Sequence, residues 1–131
     1  MSRVVKVKQT SPLTNEDIVF QYFRRIEKKD LEGALALFDY DAVVYEPFSK
    51  SAALKGKSSI EPFLKVAMMA NSSLKRTIKI EKPSNSTGEG NEASRVIALI
   101  TFEKGDTLRG RFTFEFSTET KKIKSLLIEF L

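Results

Sequence analysis

The chain has 131 residues, of which 41% are hydrophobic and 30% are charged, which predicts one soluble globular domain with a single core. It contains no cysteine and no histidine, which excludes a disulfide framework, the usual zinc and iron sites and a catalytic triad. The net charge is +5, but the lysines are scattered instead of clustered, so we expect no nucleic-acid partner.

The N-terminal residues 1–13, MSRVVKVKQTSPL, predict a basic tail or a short extra strand ahead of a single domain at 14–131. This start has no apolar stretch of signal-peptide length, and no later segment reaches membrane-spanning length. We therefore expect a cytoplasmic protein with no membrane partner.

A first helix is predicted from Thr14, which has Asp17 three residues later as in a capping box, to the charged run EKKD. Apolar residues recur at helical spacing along this segment and define its buried face. They are Ile18, Val19, Tyr22, Phe23 and Ile26.

Two more helices flank a short strand. Asp30 is a good N-cap for the second helix, which we expect to end in DYD, before a strand at 42–46. Its apolar face comprises Leu31, Ala34, Leu35 and Phe38. After a loop at 49–57, the third helix starts at Ser58 or Ser59 and ends at Asn71. Its apolar stripe is Ile60, Phe63, Leu64, Ala67 and Met68.

The second half of the chain changes to a period of two, which predicts strands at 74–81, 93–103, 107–116 and 122–131. The segment 107–116 alternates cleanly. One of its faces carries Leu108, Gly110, Phe112, Phe114 and Phe116. Helices followed by consecutive strands predict an α+β fold, in which helices pack on one face of an antiparallel sheet.

Four segments, in this order, resemble the nuclear transport factor 2-like superfamily, in its SnoaL-like and ketosteroid isomerase-like branch. They are QYF in the first helix, KKDLEGALALF, DAVVYEP and LKGKSSIEPFL. The resemblance covers about residues 14–131. It implies a cone-shaped, curved antiparallel sheet with three helices on its concave face, and a pocket for a hydrophobic small molecule without a cofactor or metal.

Bacterial ketosteroid isomerases place a tyrosine on the first helix and an aspartate before a proline on the first strand. Tyr22 and Glu46 stand at those two places in this chain. The third group of those enzymes, a protonated aspartate, has no match, because its position falls at about Phe112. The resemblance therefore implies a weak isomerase or lyase at best, since a phenyl ring donates no hydrogen bond.

The functional hypothesis is a pocket protein that moves a proton next to a carbonyl. Glu46 would be the base, because burial beside Val44 disfavours its ionised form, and the Tyr22 hydroxyl would polarise the carbonyl. The predicted pocket walls are Ile18, Ile26, Val44, Phe63, Phe112, Phe114 and Phe116.

Structural alternatives stay open for the same residues. Tyr22 can be a core aromatic whose hydroxyl has one buried partner. Glu46 can end an edge strand and pair with Lys50 or Lys55. Arg76 can point inward, to pair with Glu46 or bind an anionic ligand, or it can be solvated.

A second functional hypothesis is a non-catalytic homodimer that binds ligands or other proteins. The outer face of the sheet, which includes Ile97 and Leu99, would then form the interface.

Overall fold

The computed structural model describes residues 14–47, 53–70, 75–81, 95–104 and 106–131. The predicted tail at 1–13, residues 49–52 of the predicted loop, and Asn71 lie outside these ranges. The elements in chain order are α1 (Asn15–Glu27), α2 (Leu31–Ala36), β1 (Phe38–Tyr45), β2 (Leu54–Lys55), α3 (Lys57–Ala70), β3 (Lys75–Glu81), β4 (Arg95–Lys104), β5 (Asp106–Phe116) and β6 (Ile123–Phe130).

The six strands form one sheet in the order β2-β1-β6-β5-β4-β3. The α+β prediction is confirmed, but the sheet is mixed and not wholly antiparallel, because β1 and β6 pair in parallel. The reason is the connection between them. Strands β3 to β6 follow one another along the sheet. In contrast, α3 and four strands, β2 to β5, separate β1 from β6 in the chain, which is enough for the crossover that a parallel pair requires.

Cross-strand pairing arranges the inner face of the sheet in rows. Arg76, Phe102 and Leu108 form one row across β3, β4 and β5. The helices contact this sheet, α1 at β4 and α3 at β1. The core between the two layers contains the buried apolar side chains of all three helices and of strands β1, β4, β5 and β6.

The start of α1 agrees with the capping-box prediction. The Asp17 backbone N–H donates to Thr14 Oγ1 and the Thr14 N–H donates to Asp17 Oδ2, both at 3.0 Å. These two bonds satisfy backbone donors that a helix start leaves unpaired. All five residues of the predicted apolar face are buried.

The boundary between α2 and β1 differs from the prediction. Asp30 does cap α2, where its carboxylate accepts from the Gly33 N–H at 2.9 Å, but the helix ends at Ala36 and the strand begins at Phe38. Phe38 is fully buried and pairs with Ile123 of β6. An apolar residue such as Phe38 fits a buried position at the end of a helix or in a strand, so the local sequence does not distinguish the two. The pairing with Ile123 decides for the strand.

Helix α3 begins at Lys57, directly after Gly56, which adopts a positive φ of 85°. Its predicted stripe is confirmed: Ile60, Leu64 and Met68 are buried, and the remaining two residues pack against the core. Part of the predicted loop before it is the two-residue strand β2, paired with β1.

Candidate functional site

A cavity of about 720 Å³ lies between α1, α3 and the inner face of the sheet. Its walls are mostly apolar, and polar side chains are few. The polar or charged residues among the described lining are Tyr22, Glu46, Ser59 and Arg76.

Along β5, the inner face of the sheet borders the cavity at one end and is packed in the core at the other. Leu108 and Phe112 line the cavity, and the buried Gly110 between them contributes no side chain. Further along the strand, Phe114 and Phe116 are buried in the core. The cavity therefore occupies the end of the sheet near the start of β5.

The predicted pocket walls divide accordingly. Ile26, Phe63 and Phe112 line the cavity. The other four predicted wall residues are buried in the core and are absent from the lining, which corrects the prediction; they are Ile18, Val44, Phe114 and Phe116. For Phe114 the reason is packing of α1, because the rings of Tyr22 and Phe23 make edge contacts with it.

Tyr22 is held in an aromatic cluster at the border of the cavity. Its ring makes edge contacts with Phe23, Phe114 and Phe38, with centroid separations of 5.0, 5.5 and 6.0 Å. Only 2% of the residue is exposed, and it lines the cavity. The cluster fixes the ring on several sides, which favours a defined hydroxyl position.

The Tyr22 hydroxyl makes no hydrogen bond with any residue that the structure describes. Burial raises the pKa of this hydroxyl well above its usual range, because the phenolate would lose its hydration, and the positive charge of Arg76 opposes that rise in part. The group is therefore a neutral hydrogen-bond donor at the border of an apolar space.

Glu46 follows the last residue of β1 and lines the same cavity while half-buried. The fold thus brings Tyr22 and Glu46, 24 residues apart in sequence, to one cavity. Of the lysines predicted as alternative partners of Glu46, Lys50 lies outside the described ranges and Lys55 is exposed on β2.

Sequence reasoning missed several wall residues. Val66 of α3 is exposed and lies outside the predicted apolar stripe, yet it lines the cavity. Ile128 and Phe130 also line it. Their alternation in the last predicted strand was the available signal, because it places both on the inner face.

The outer face of the sheet carries charge pairs and apolar side chains. Arg95 pairs with Glu115 at 3.1 Å, and Arg111 pairs with Glu129 at 3.4 Å. Ile97 and Leu99 are half-buried on this face. Exposed ion pairs of this kind contribute little to stability.

No described helix combines the length and apolarity needed to cross a bilayer. Within the same residues, no group of three or more acidic side chains is placed to hold a metal ion. The cytoplasmic location and the absence of a nucleic-acid partner stay predictions.

No family model and no curated protein matches the sequence of this chain. Several solved structures are similar to it over most of their length, although their sequence identity to it is low. An NTF2-like protein from Cytophaga hutchinsonii is 12% identical, with a TM-score of 0.66 over 92% of this chain and 93% of that chain. A SnoaL-like protein from Burkholderia thailandensis is 13% identical, with a TM-score of 0.69 over 89% and 93% of the two chains.

A third structure is SalBIII, described as an epoxide hydrolase/cyclase-like enzyme with a role in pyran ring formation in the polyether salinomycin. It is 16% identical, with a TM-score of 0.67 over 97% of this chain and 95% of that chain. Identities this low establish a shared fold and no shared activity. This chain therefore has the NTF2-like fold, as its four sequence segments predicted.

Proposed function

We propose that this protein binds a hydrophobic small molecule in the cavity between its helices and sheet. One observation carries the proposal: the buried hydroxyl of Tyr22 borders a 720 Å³ apolar cavity and has no hydrogen-bond partner among the described residues. An unsatisfied buried hydroxyl costs about 1–3 kcal/mol. A ligand with an oxygen acceptor would remove that cost and fill the apolar space.

The experiment is a titration with N-phenyl-1-naphthylamine, a neutral apolar dye whose fluorescence rises on burial. Ala67 lines the cavity on α3, so Ala67→Phe should fill part of it and weaken dye binding about tenfold or more. Ala36→Phe places the same side chain at an exposed position of α2 and should leave binding unchanged. Equal effects of the two substitutions would contradict binding in this cavity.

Proton transfer next to a carbonyl is the chemistry that the cavity supports best. A carboxylate at Glu46 can accept a proton, and the neutral Tyr22 hydroxyl can donate a hydrogen bond to a carbonyl oxygen. Phe112 also lines the cavity and donates no hydrogen bond, so the activity should be weak. SalBIII, a cyclase-like enzyme by its description, supports small-molecule chemistry on this fold.

Hydrogen–deuterium exchange of 2-tetralone, followed by NMR in D₂O, tests this chemistry. Glu46→Gln should abolish exchange above the buffer rate, and Tyr22→Phe should slow it by about 10²-fold. Glu32→Gln, an exposed acid on α2, is the matched control. Exchange that continues at the original rate in Glu46→Gln would remove Glu46 from the mechanism.

A homodimer through the outer sheet face is the second proposed property. Tyr45, Leu127, Thr113 and Ile97 form a continuous row across β1, β6, β5 and β4. Tyr45 is 49% exposed and Leu127 is 39% exposed. A row with three large apolar side chains, flanked by ion pairs, is suited to a self-complementary interface.

A further inference from the structure

Arg76 stands out among the residues that line the cavity because it brings a permanent charge to an apolar wall. It belongs to the inner-face row with Phe102 and Leu108, and all three line the cavity. Only 10% of its side chain is exposed. A largely buried cation is costly unless polar partners offset the loss of hydration.

Contacts with α1 hold the guanidinium group at this wall. Its Nη2 donates to the Phe23 backbone oxygen at 3.2 Å, and its Cζ atom lies 5.6 Å from the centre of the Phe23 ring. The same Nη2 lies 3.6 Å from Glu27 Oε1. Glu27 is 70% exposed, so water screens this ion pair.

The sheet order separates this cation from the acid of the cavity. Arg76 is on β3, an edge strand, whereas Glu46 follows β1, with β6, β5 and β4 between them. The cavity thus has a positive wall and a negative wall. The field of Arg76 also reaches Tyr22, whose pKa it lowers against the effect of burial. A carboxylate beside Arg76 would therefore meet an attractive potential.

We propose that Arg76 is the specificity-determining residue of the cavity, and that the ligand is an apolar carboxylic acid whose carboxylate binds to its guanidinium group. The planar guanidinium donates parallel hydrogen bonds to a carboxylate, and a surrounding of low polarity strengthens them. This inference rests on the proposed ligand-binding function. It adds the chemical class of the ligand.

The test compares two probes of nearly equal shape, naphthalene-2-carboxylate and naphthalene-2-carboxamide, by calorimetric titration at pH 7 and low salt. The wild-type protein should bind the carboxylate about tenfold or more tightly than the neutral amide. Arg76→Gln should remove this preference and leave amide binding nearly unchanged. Arg111→Gln removes a cation of the outer face, paired with Glu129 at 3.4 Å, and should keep the preference.

A second variant tests the inference independently of whether Arg76→Gln folds. Glu27→Gln alters an exposed side chain and removes an anion that pairs with Arg76, so carboxylate affinity should rise by up to about fivefold while amide affinity stays constant. No rise in the carboxylate preference would count against the inference.

The outcomes separate the two proposals. Binding of both probes without a carboxylate preference in the wild-type protein, or a preference that survives Arg76→Gln, would overturn the role of Arg76 and leave ligand binding intact. Failure of both probes to bind at millimolar concentration would overturn the proposed function together with this inference.

Discussion

Tyr22 combines good packing with an unsatisfied polar group. Its ring contributes to the core through three edge contacts with phenylalanines, each worth about 0.5–1.5 kcal/mol beyond the buried area. Its hydroxyl has no hydrogen-bond partner among the described residues. The ring is thus explained by packing, whereas the hydroxyl supports the proposal of a bound ligand.

Replacing Tyr22 by Phe should separate these two roles. The free energy of unfolding without ligand should rise by about 1 kcal/mol or stay constant, because the variant keeps the ring and loses an unsatisfied hydroxyl. Urea unfolding monitored by circular dichroism measures this change. A loss of more than about 1 kcal/mol would show that the hydroxyl has a partner within the protein.

Alkaline pH provides a second measurement on the same residue. The pKa of Tyr22 is raised in the folded protein, so its contribution to stability is fully present below the usual tyrosine value of about 10 and is lost above it. The wild-type protein should lose up to about 1.4 kcal/mol per pH unit more than Tyr22→Phe above that value. Parallel pH profiles of the two proteins would contradict the raised pKa.

At the scale of elements, the Asp30 cap of α2 restricts which residue can occupy position 33 of the same helix. The Asp30 carboxylate accepts from the Gly33 N–H, and Arg25 donates to the Gly33 backbone oxygen at 2.8 Å. A Cβ atom on Gly33 would overlap with the Asp30 carboxylate. A larger residue here would therefore displace the capping side chain, although glycine lowers intrinsic helix stability.

Gly33→Ala should consequently fail to stabilise the protein. The intrinsic gain of about 1 kcal/mol for alanine in a helix should be cancelled by displacement of the cap, which is worth about the same. In an Asp30→Ala background the conflict is absent, so the same substitution should stabilise by about 1 kcal/mol. Chemical unfolding of the four proteins gives the coupling, and additive effects would contradict it.

The elements that were predicted well are those whose sequence pattern, a cap or an apolar period, is complete within a few residues. The capping residues Thr14 and Asp17 and the apolar face of α1 lie in one local segment, and the structure agrees with each. The start of β1 was predicted four residues late, because Phe38 is apolar and fits the end of a helix. Only its pairing with Ile123, distant in sequence, decides for the strand.

At the scale of the whole molecule, the outer sheet face predicts self-association. Sedimentation velocity across a range of concentrations should detect a dimer, and Leu127→Lys should shift the equilibrium to monomer, because it places a charge in the apolar row. Glu32→Lys introduces the same side chain at an exposed position of α2, away from the sheet, and serves as a control. A wild-type protein that stays monomeric at all concentrations would contradict the dimer.

The candidate site was predictable only in part, because its walls depend on how distant segments of the chain pack together. Tyr22 and Glu46 were selected from the resemblance, and the fold brings both to one cavity. The alternation of β5 placed Phe112, Phe114 and Phe116 on one face, but alternation carries no information on which of them a helix covers. In the tertiary structure Tyr22 and Phe23 of α1 pack against Phe114, and Phe112 is the one of these three residues that lines the cavity.

Composition and short-range periodicity predicted the α+β class, the three helices, the inner face of β5 and the exclusion of histidine and cysteine chemistry. These properties follow from composition and from periods of a few residues. The parallel pairing of β1 with β6, the extent of the cavity and the position of Arg76 in its wall became known from the structure alone. Each of these depends on contacts between segments far apart in the chain, which local patterns do not specify.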